Sequence, residues 1–321
     1  MKLTTPVTID APRLPFRLSD RIMLLGSCFA DNIGAKLTAA GFRTCVNPFG
    51  TLYNPESILN AVRRLDSGEP FGPDDCVPMG AGADRICSFE HHTGFARPTA
   101  EEFLENANEK LLQAREFWVD ANRVVLTLGT AFVWQHDGRT VSNCLKRPAA
   151  EFSRRMLSVS EISETLQAIV TAHPEKHFLL SVSPIRHMGD GAHANTLSKA
   201  SLLLAAATAA DSAAASGNRA TLGNVRGGTA SEAKRWGPKD VSGGWLPGSA
   251  EAVEYFPAYE IMMDELRDYR FYADDLVHPS SSAIQFIWER FLETMVAPED
   301  LPQIAENEKA ARISSHRPNL K

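Results

Sequence analysis

Short apolar runs alternate along the chain with longer stretches of helical periodicity. Four runs have the length and composition of buried strands: residues 21–26 (RIMLLG), 123–129 (RVVLTLG), 177–184 (HFLLSVSP) and 252–256 (AVEYF). Each is followed by polar or Gly/Pro-rich residues and then by a helix or turn. This order predicts an α/β domain with a mostly parallel sheet, whose ligand site lies at the carboxyl edge of the strands.

Helix-capping signals accompany the helical stretches. Thr99 and Glu102 stand at capping-box spacing before a stretch that ends near residue 118, and Ser158 and Glu161 repeat the signal. Between residues 284 and 295, apolar residues recur at i, i+3, i+4 and i+7. These stretches are predicted to be helices packed on the sheet.

The remaining segments suggest elaborations of one domain rather than a second domain. An Asp-Gly pair at 137–138 predicts a β-hairpin near residues 131–143 that could wall one side of a pocket. Residues 206–250 are rich in Ala, Gly and Ser, which predicts a low-complexity surface insertion. A polar tail follows residue 298. We therefore predict a single domain over residues 1–321.

Composition narrows the classes of function. The 33 Lys and Arg residues against 39 Asp and Glu give a net charge of −6, and no basic cluster interleaves with aromatics, so nucleic acid is not expected as a partner. No apolar stretch approaches the roughly 18 residues of a membrane span, and the first residues lack a signal-peptide core. The five scattered cysteines form no C-x-x-C pair and suggest reduced thiols. A cytoplasmic protein without membrane contact is expected.

Ser27 and Cys28 offer two candidate nucleophiles side by side. They lie between the apolar run 21–26 and a helical stretch that ends at Gly41. A nucleophile at the amino end of a helix gains from the helix dipole and from free N–H groups, which suits acyl transfer. Capping the helix is also the commonest role of a serine at this position, and that alternative stays open. Cys28 would need a depressed pKa to react, so we expect a packing role for it.

A base for the serine is available near the C-terminus. His278 lies three residues after Asp275 on a polar turn ahead of the last predicted helix. Asp275 can orient the imidazole while His278 accepts the proton of Ser27. A D-x-x-H pair alone is common by chance, so its weight depends on the rest of the pattern.

The sequence resembles the GSCFA domain family, relatives of the GDSL or SGNH hydrolases, whose name is spelled at residues 26–30. Further blocks resemble the family in its order: 47–55 (NPFGTLYNP), 127–134 (TLGTAFVW), 142–152 (SNCLKRPAAEF), 181–187 (SVSPIRH), 195–205 (NTLSKASLLLA) and 255–280 (YFPAYEIMMDELRDYRFYADDLVHPS). The blocks cover most of the chain from residue 24 to residue 295, apart from the predicted insertion. Such a match in sequence and order is specific.

The resemblance implies a three-layer α/β/α, flavodoxin-like fold of the SGNH hydrolase type with a mostly parallel sheet and a Ser-His-Asp site. Ser27 then corresponds to the nucleophile, His278 to the base and Asp275 to its partner. The relatives build their oxyanion hole from the nucleophile's N–H, a glycine N–H and an asparagine side chain. The implied donors here are Ser27, Gly50 and Asn143; Thr130 is the next candidate after Asn143, because the family's G-x-N-D block is absent.

Other polar residues are candidates for substrate contact. His187 follows the run 177–184 at the functional edge, and a structural hydrogen bond is the alternative for it. His92, Thr130 and Lys199 are further candidates. The adjacent His91 and His92 make a poor metal pair, so no metal is expected. Leu145 stands where relatives carry the histidine of N-C-H-K, a departure that leaves the triad intact.

These observations predict a serine esterase that acts on an O-acyl ester, with a carbohydrate ester as the first guess for the substrate. The hydrolysis would proceed through an acyl-enzyme and need no cofactor; neither a G-x-G-x-x-G motif nor a P-loop is present. Two alternatives remain: an O-acyltransferase that uses the same triad, and a non-catalytic binding protein of the same fold. The sequence does not indicate an oligomeric state.

Overall fold

The structure is a computed structural model that describes residues 4–80, 82–221 and 253–316. Its helices are α1 (Cys28–Ala39), α2 (Pro55–Ser67), α3 (Ala100–Asp120), α4 (Val159–Ala172), α5 (Ala192–Thr221), α6 (Ala258–Glu260), α7 (Ser281–Met295) and α8 (Leu301–His316). Its strands are β1 (Arg21–Gly26), β2 (Arg43–Val46), β3 (Val77–Pro78), β4 (Ile86–Cys87), β5 (Arg123–Leu128), β6 (Phe132–His136), β7 (Arg139–Val141), β8 (Ser153–Met156), β9 (His177–Val182) and β10 (Val253–Tyr255).

Five parallel strands form the central sheet in the order β10-β9-β5-β1-β2. Counted along the chain within this sheet, the order is 2-1-3-4-5, that of the flavodoxin-like fold. The four predicted strand runs are β1, β5, β9 and β10, and the predicted parallel sheet is confirmed. The edge strand β2 was not predicted.

The side chains of β1 point alternately to the two faces of the central sheet, and each face is covered by a layer of helices. Ile22 and Leu24 pack into one apolar cluster with α1 and α7, whereas Met23 and Leu25 pack into another with α2, α3, α4 and α5. All four side chains are fully buried. Burying each contributes about 1.5–3 kcal/mol, so a strand with both faces apolar favours helices on both sides of the sheet. The three-layer α/β/α architecture is confirmed.

The capping signals act as the sequence indicates. Thr99 accepts a hydrogen bond from the amide of Glu102 at the start of α3, at 3.1 Å. Ser158 and Glu161 satisfy each other's amides at the start of α4. Each cap contributes about 1 kcal/mol to its helix. The last predicted helix is α7, which Ser280 caps.

A small antiparallel sheet follows β5. β6 and β7 form a hairpin through Asp137 and Gly138, both with positive φ, and β8 pairs with the other side of β6. The predicted insertion at 206–250 begins within α5 and, beyond Thr221, lies outside the described residues. After residue 298 the chain forms α8, which packs through the buried Ile304. Within the described ranges, no helix has the length and hydropathy needed to cross a bilayer.

Candidate active site

The candidate site lies at the switch point of the sheet. β1 and β5 are neighbours, but the chain leaves β1 toward β2 on one side and returns through β5 on the other. The connections after these two strands diverge and open a crevice at their carboxyl ends, where ligands of such sheets bind. Ser27 directly follows β1, and Gly129 directly follows β5. A cavity of about 620 Å³ occupies this position.

The cavity is bordered by the strand ends, the small sheet and the loop before α7. Its lining residues are Ser27, Cys28, Tyr53, Asn54, Thr130, Phe132, Trp134, Val141, Ser142, Arg154, Ile185, Arg186, His187, Gly189, Asp190, Val277 and His278. The β6–β7 hairpin and β8 contribute one wall, as the sequence predicted for the hairpin. The structure brings Ser27, His187, Thr130 and His278 together on this cavity.

Ser27 is fully buried and borders the cavity at the N-terminus of α1. Its Oγ accepts the amide N–H of Phe29 at 3.3 Å, so the N-cap role foreseen from the sequence is present. The same Oγ lies 3.3 Å from Thr127 Oγ1. The Ser27 amide donates to Thr127 Oγ1 at 3.0 Å. In this conformation the amide N–H and the hydroxyl of Ser27 are therefore both held by hydrogen bonds to neighbouring residues.

Cys28, the first residue of α1, borders the same cavity and is only partly buried. Its Sγ lies 3.7 Å from the hydroxyl of Tyr53. Burial raises the pKa of the Cys28 thiol, and nearby Asp31 raises it further. The thiol is therefore protonated near neutral pH and a weak nucleophile. Besides bordering the cavity, Cys28 packs against the apolar cluster on the α1 side of the sheet, which is the packing role expected from the sequence.

His278 and Asp275 form an oriented pair at the mouth of the cavity. Nδ1 of His278 lies 2.6 Å from Oδ2 of Asp275, which leaves Nε2 as the imidazole atom available to the cavity. The other carboxylate oxygen accepts the amides of Val277 and His278. These backbone bonds, and then the imidazole, lower the pKa of Asp275 to about 2, so the carboxylate is ionised. Among the described residues, no hydrogen bond joins His278 to Ser27.

Arg186 anchors the loop that carries this pair. Its amide donates to Val277 O and its Nη1 to Leu276 O, both at 3.1 Å. Its guanidinium also lies over the ring of Tyr272, 5.4 Å from the centroid. Because Arg186 follows β9, these hydrogen bonds attach the loop that carries His278 to the carboxyl edge of the sheet and position that loop at the cavity.

His187 lies deeper in the cavity than His278. Its amide donates to Asn195 Oδ1 at 2.9 Å, and its ring meets Tyr53 edge-on at 5.9 Å between centroids. Burial, followed by the positive charge of Lys199, lowers the pKa of His187 to about 4. The imidazole is therefore neutral near pH 7, and it does border the cavity as expected.

Gly50 and His92 lie away from the cavity lining. The Gly50 amide donates to Asn47 O at 2.7 Å within a turn, so this N–H is not free for an oxyanion. Asn47 adopts a positive φ of 42° there, and its side chain accepts the amide of Gly26. His92 packs against Gly50 and accepts the amide of Gly94.

Asn143 is likewise not a cavity residue. Its Oδ1 accepts the amide of Leu145 at 2.8 Å, while its own amide lies 3.3 Å from Phe89 O. Leu145 has a φ of 52° and is fully buried, and it packs into the apolar cluster that contains Met23 and Leu25. The structure does not bring Asn143 to Ser27.

Thr130 and Lys199 are both engaged by the fold. Thr130 borders the cavity, but its hydroxyl lies 3.0 Å from Ser198 Oγ and accepts the amide of Phe132. Lys199 is almost fully buried below the strand ends and donates to the carbonyls of Gly129 and Ser183. Lys199 therefore supports the site from beneath rather than lining it.

Several cavity residues were not identified from the sequence. Asn54 caps α2 through Oδ1, which accepts the amide of Ser57 at 2.9 Å, so Nδ2 remains able to donate to a bound group. The Asn-Pro pair at 54–55 is a helix-start signal that could have identified it.

Arg154 is a second cavity residue that was not identified from the sequence. It pairs with Asp190 and stacks on Phe132 and Trp134. Its strand β8 is exposed and polar, which gives no strand signal.

The described part of the chain places no group of three or more His, Cys, Asp or Glu residues so that it could hold a metal ion. The arrangement instead combines a hydroxyl at a helix N-terminus, an imidazole with an acid partner, and amide and imidazole donors around one cavity.

Comparison with known protein families matches the chain to the GSCFA family over residues 21–216 and 246–291. No curated protein and no solved structure matches the chain. The matched residues include both ends of the candidate site, from β1 through the loop that carries His278.

Proposed function

The chain belongs to the GSCFA family, and we propose that it is a serine hydrolase of the SGNH type that cleaves an O-acyl ester through an acyl-enzyme. One observation carries the proposal: Ser27 and the Asp275-oriented His278 border the same cavity at the switch point of the sheet. A nucleophile, a base and a group that orients the base are the minimum set for this chemistry.

Each step uses a residue of the cavity. His278 Nε2 accepts the proton of Ser27 as Oγ attacks the ester carbonyl, and the ionised Asp275 stabilises the imidazolium that forms. The imidazolium returns the proton to the departing alcohol, which leaves an acyl group on Ser27. Water then attacks the acyl-enzyme with His278 again as base, which releases the acid and free Ser27.

Attack requires Ser27 Oγ to leave its present partners. Oγ is held by Phe29 N and Thr127 Oγ1, both at 3.3 Å, which is the long end of the hydrogen-bond range. Such bonds are weak enough for a bound ester to displace, and unliganded active sites often show looser contacts than their complexes. The proposed mechanism therefore requires a rotation about the Cα–Cβ bond of Ser27 that turns Oγ toward His278.

The oxyanion needs donors other than those implied by the family resemblance. The amides of Ser27 and Gly50 donate to Thr127 and Asn47, and Asn143 lies off the cavity. We therefore assign one donor to Asn54 Nδ2, because the cap bond to Ser57 holds the amide in place while leaving Nδ2 unused. A donor fixed before the reaction stabilises the transition state without a cost for reorientation.

A carbohydrate ester suits the cavity wall. Trp134 borders the cavity and is 38% exposed, and an indole is a flat aromatic surface of the kind that stacks on sugar rings. The neighbouring ion pair of Arg154 and Asp190 offers donors and an acceptor for hydroxyl groups. A cavity of about 620 Å³ also has room for a second hydroxyl compound, which keeps an acyltransferase as the second candidate.

The experiment is hydrolysis of 4-nitrophenyl acetate by the wild type and by Ser27→Ala, His278→Ala and Cys28→Ala. We expect loss of turnover in the first two variants and near wild-type turnover in Cys28→Ala. Activity that survives Ser27→Ala but not Cys28→Ala would overturn the assignment. Acceleration of acyl-enzyme turnover by a sugar would favour the transferase. No turnover in any form would favour a binding protein.

We also propose a cytoplasmic location. All five cysteines are free in the structure. A reducing compartment keeps scattered thiols in that state.

A further inference from the structure

His187 carries an unsatisfied polar atom at the centre of the site. Its Nε2 is buried and has no hydrogen-bond partner among the described residues. The atom faces Gly129: a Cβ built on that glycine would lie 3.3 Å from His187 Nε2 and 3.4 Å from Ser27 Cβ. His187 Nε2 and Ser27 Cβ therefore both border the space that a side chain at position 129 would fill. A buried polar atom without a partner costs about 1–3 kcal/mol, which calls for a functional explanation.

We propose that His187 is a further catalytic residue, whose Nε2–H donates a hydrogen bond to the oxyanion that forms when Ser27 attacks the ester. This inference rests on the proposed serine-hydrolase function and deepens it. The reaction provides what the folded protein lacks at this point, an acceptor for the buried Nε2. Because that acceptor gains its charge only in the transition state, the bond strengthens there and lowers the barrier.

The surroundings of His187 favour a donor over a second base. A base must hold the proton that it takes from Ser27, but burial, Lys199, His278 and Arg154 all oppose a charge on this ring. His278 has the carboxylate of Asp275 at 2.6 Å to support its charge. A neutral imidazole gives no proton away and presents one N–H, which suits it to stabilise an anion.

One basic side chain near this part of the cavity favours an anion. Lys199 lies beneath the cavity on the carbonyl of Gly129, and burial lowers its pKa to about 7, so part of it is protonated at neutral pH. Arg154 borders the cavity, but its charge is balanced by the ion pair with Asp190, which borders the cavity as well. Protonated Lys199 therefore attracts an oxyanion between Ser27 and His187 by a Coulomb interaction.

The fold holds the imidazole in place. The His187 amide is fixed by Asn195 Oδ1, and the ring packs edge-on against Tyr53. Gly129 is itself fixed: its amide donates to Tyr53 O at 2.9 Å and its carbonyl accepts from Lys199 Nζ at 2.6 Å. A side chain at 129 would meet Tyr53 O at 2.8 Å, so the space between His187 and Ser27 requires glycine.

Three substitutions of His187 distinguish the effect of its hydrogen-bond donor from the effect of its ring. In His187→Gln, the amide nitrogen reaches the position of Nε2; in His187→Asn, it reaches only the position of Nδ1; His187→Phe keeps a ring without a donor. The matched control is His193→Gln, an exposed histidine near the start of α5. Thermal melts identify variants that do not fold. The Gln and Asn variants, which are both polar and differ by one methylene, keep the comparison meaningful if the Phe variant unfolds.

We expect kcat for 4-nitrophenyl acetate to fall by about 10²–10³ in His187→Asn and His187→Phe, with KM changed less than threefold. His187→Gln should keep kcat within about tenfold of the wild type. Affinity for a boronic acid, which forms a tetrahedral adduct on the serine, should fall in parallel with kcat. Equal activity of all three variants, or a loss confined to KM, would overturn the role of His187.

Failure of the wider proposal has a different signature. If the wild type neither hydrolyses the ester nor reacts with a fluorophosphonate at Ser27, the serine-hydrolase function fails and the inference fails with it. If the wild type does both while His187→Asn and His187→Phe match it in kcat, the hydrolase function stands and the inference alone is wrong.

Discussion

Lys199 Nζ lies 2.6 Å from the carbonyl oxygen of Gly129, the residue that separates β5 from the cavity. The same Nζ donates to Ser183 O at 2.7 Å, just beyond the end of β9. The side chain is 1% exposed, and burial lowers the pKa of its amine to about 7. One buried amine thus joins the carboxyl ends of two neighbouring strands, and Gly129 lies beside both Ser27 and His187.

Lys199→Met should destabilise the protein. Methionine fills similar volume but leaves the carbonyls of Gly129 and Ser183 without this donor, which costs about 1–3 kcal/mol for each group. Denaturant unfolding measures the loss. The control Lys110→Met changes an exposed lysine on α3 and should stay within about 0.5 kcal/mol of the wild type. Equal midpoints for the two variants would contradict the structural role of Lys199.

Asp275→Asn should impair catalysis without unfolding the protein. The substitution removes the charge that supports the His278 imidazolium, so kcat should fall by about 10²–10⁴. The adjacent Asp274 is exposed and provides the matched control, Asp274→Asn. Ester hydrolysis at pH 7 measures both variants, and a similar small effect in both would count against the oriented pair.

Asp275 also predicts an acid sensitivity of the loop. The pKa of Asp275 is lowered to about 2 from an ordinary 3.8, so its ionised form favours the folded loop. This contribution is complete above about pH 4 and is lost as the pH falls toward 2. Hydrogen exchange of the Val277 and His278 amides should accelerate, relative to the intrinsic rate, over that interval in the wild type. Asp275→Asn should show no such step.

His91 predicts a loss of stability at mildly acidic pH. This histidine is fully buried, its Nδ1 lies 2.6 Å from Ser88 Oγ, and its ring packs among Phe71 and Phe95. Burial, and then Arg64, lowers its pKa to about 3. Because the unfolded chain binds the proton near pH 6.5, stability falls as the pH drops from 6.5 toward 3.

The size of this effect follows from one histidine that stays neutral in the folded state. Between pH 7 and pH 5 it removes about 2 kcal/mol of unfolding free energy. The double variant His91→Phe/Ser88→Ala removes the titrating ring and its hydroxyl partner together. Urea unfolding at the two pH values should give a loss that is smaller by about 2 kcal/mol in this variant. An unchanged difference would show that the folded protein protonates His91 as readily as the unfolded chain does, and would contradict the lowered pKa.

Trp134→Ala tests the proposed sugar platform. Loss of a stacking face costs about 0.5–1.5 kcal/mol, which corresponds to a rise in KM of about twofold to tenfold for an O-acetylated glycoside. Vinyl acetate, which has no ring, should keep its KM. The exposed Leu112 on α3 gives the control Leu112→Ala. A KM that rises equally for both esters would argue against a sugar-binding role.

Much of the fold could be predicted from local signals. The strands β1, β5, β9 and β10 come from apolar runs that are buried in the central sheet, where burial on both faces leaves a continuous apolar signature. β2 has four residues, none of them fully buried, and β8 is wholly exposed. Edge and surface strands depend on pairing with a partner, which periodicity does not reveal.

The candidate residues of the site were predictable where their position at a strand end or before a helix places them at the cavity. Ser27, His187 and His278 follow strands or precede a helix, so the topology alone brings them to one edge. The proposed oxyanion donors depend on turn geometry instead. The Gly50 amide donates to Asn47 O within a turn in which Asn47 has a positive φ, whereas Asn54 caps α2 through Oδ1, which leaves Nδ2 for another partner. Neither fact is visible in residue spacing.

The most direct test of the nucleophile is covalent labelling. Trypsin releases residues 22–36 as one peptide that contains both Ser27 and Cys28. After reaction of the folded wild type with a fluorophosphonate, tandem mass spectrometry of this peptide locates the phosphonyl group. We expect it on Ser27 Oγ, with labelling abolished in Ser27→Ala and greatly slowed in His278→Ala. A phosphonyl group on Cys28, or an unmodified peptide under conditions that fully label a control serine esterase, would contradict the assignment of Ser27.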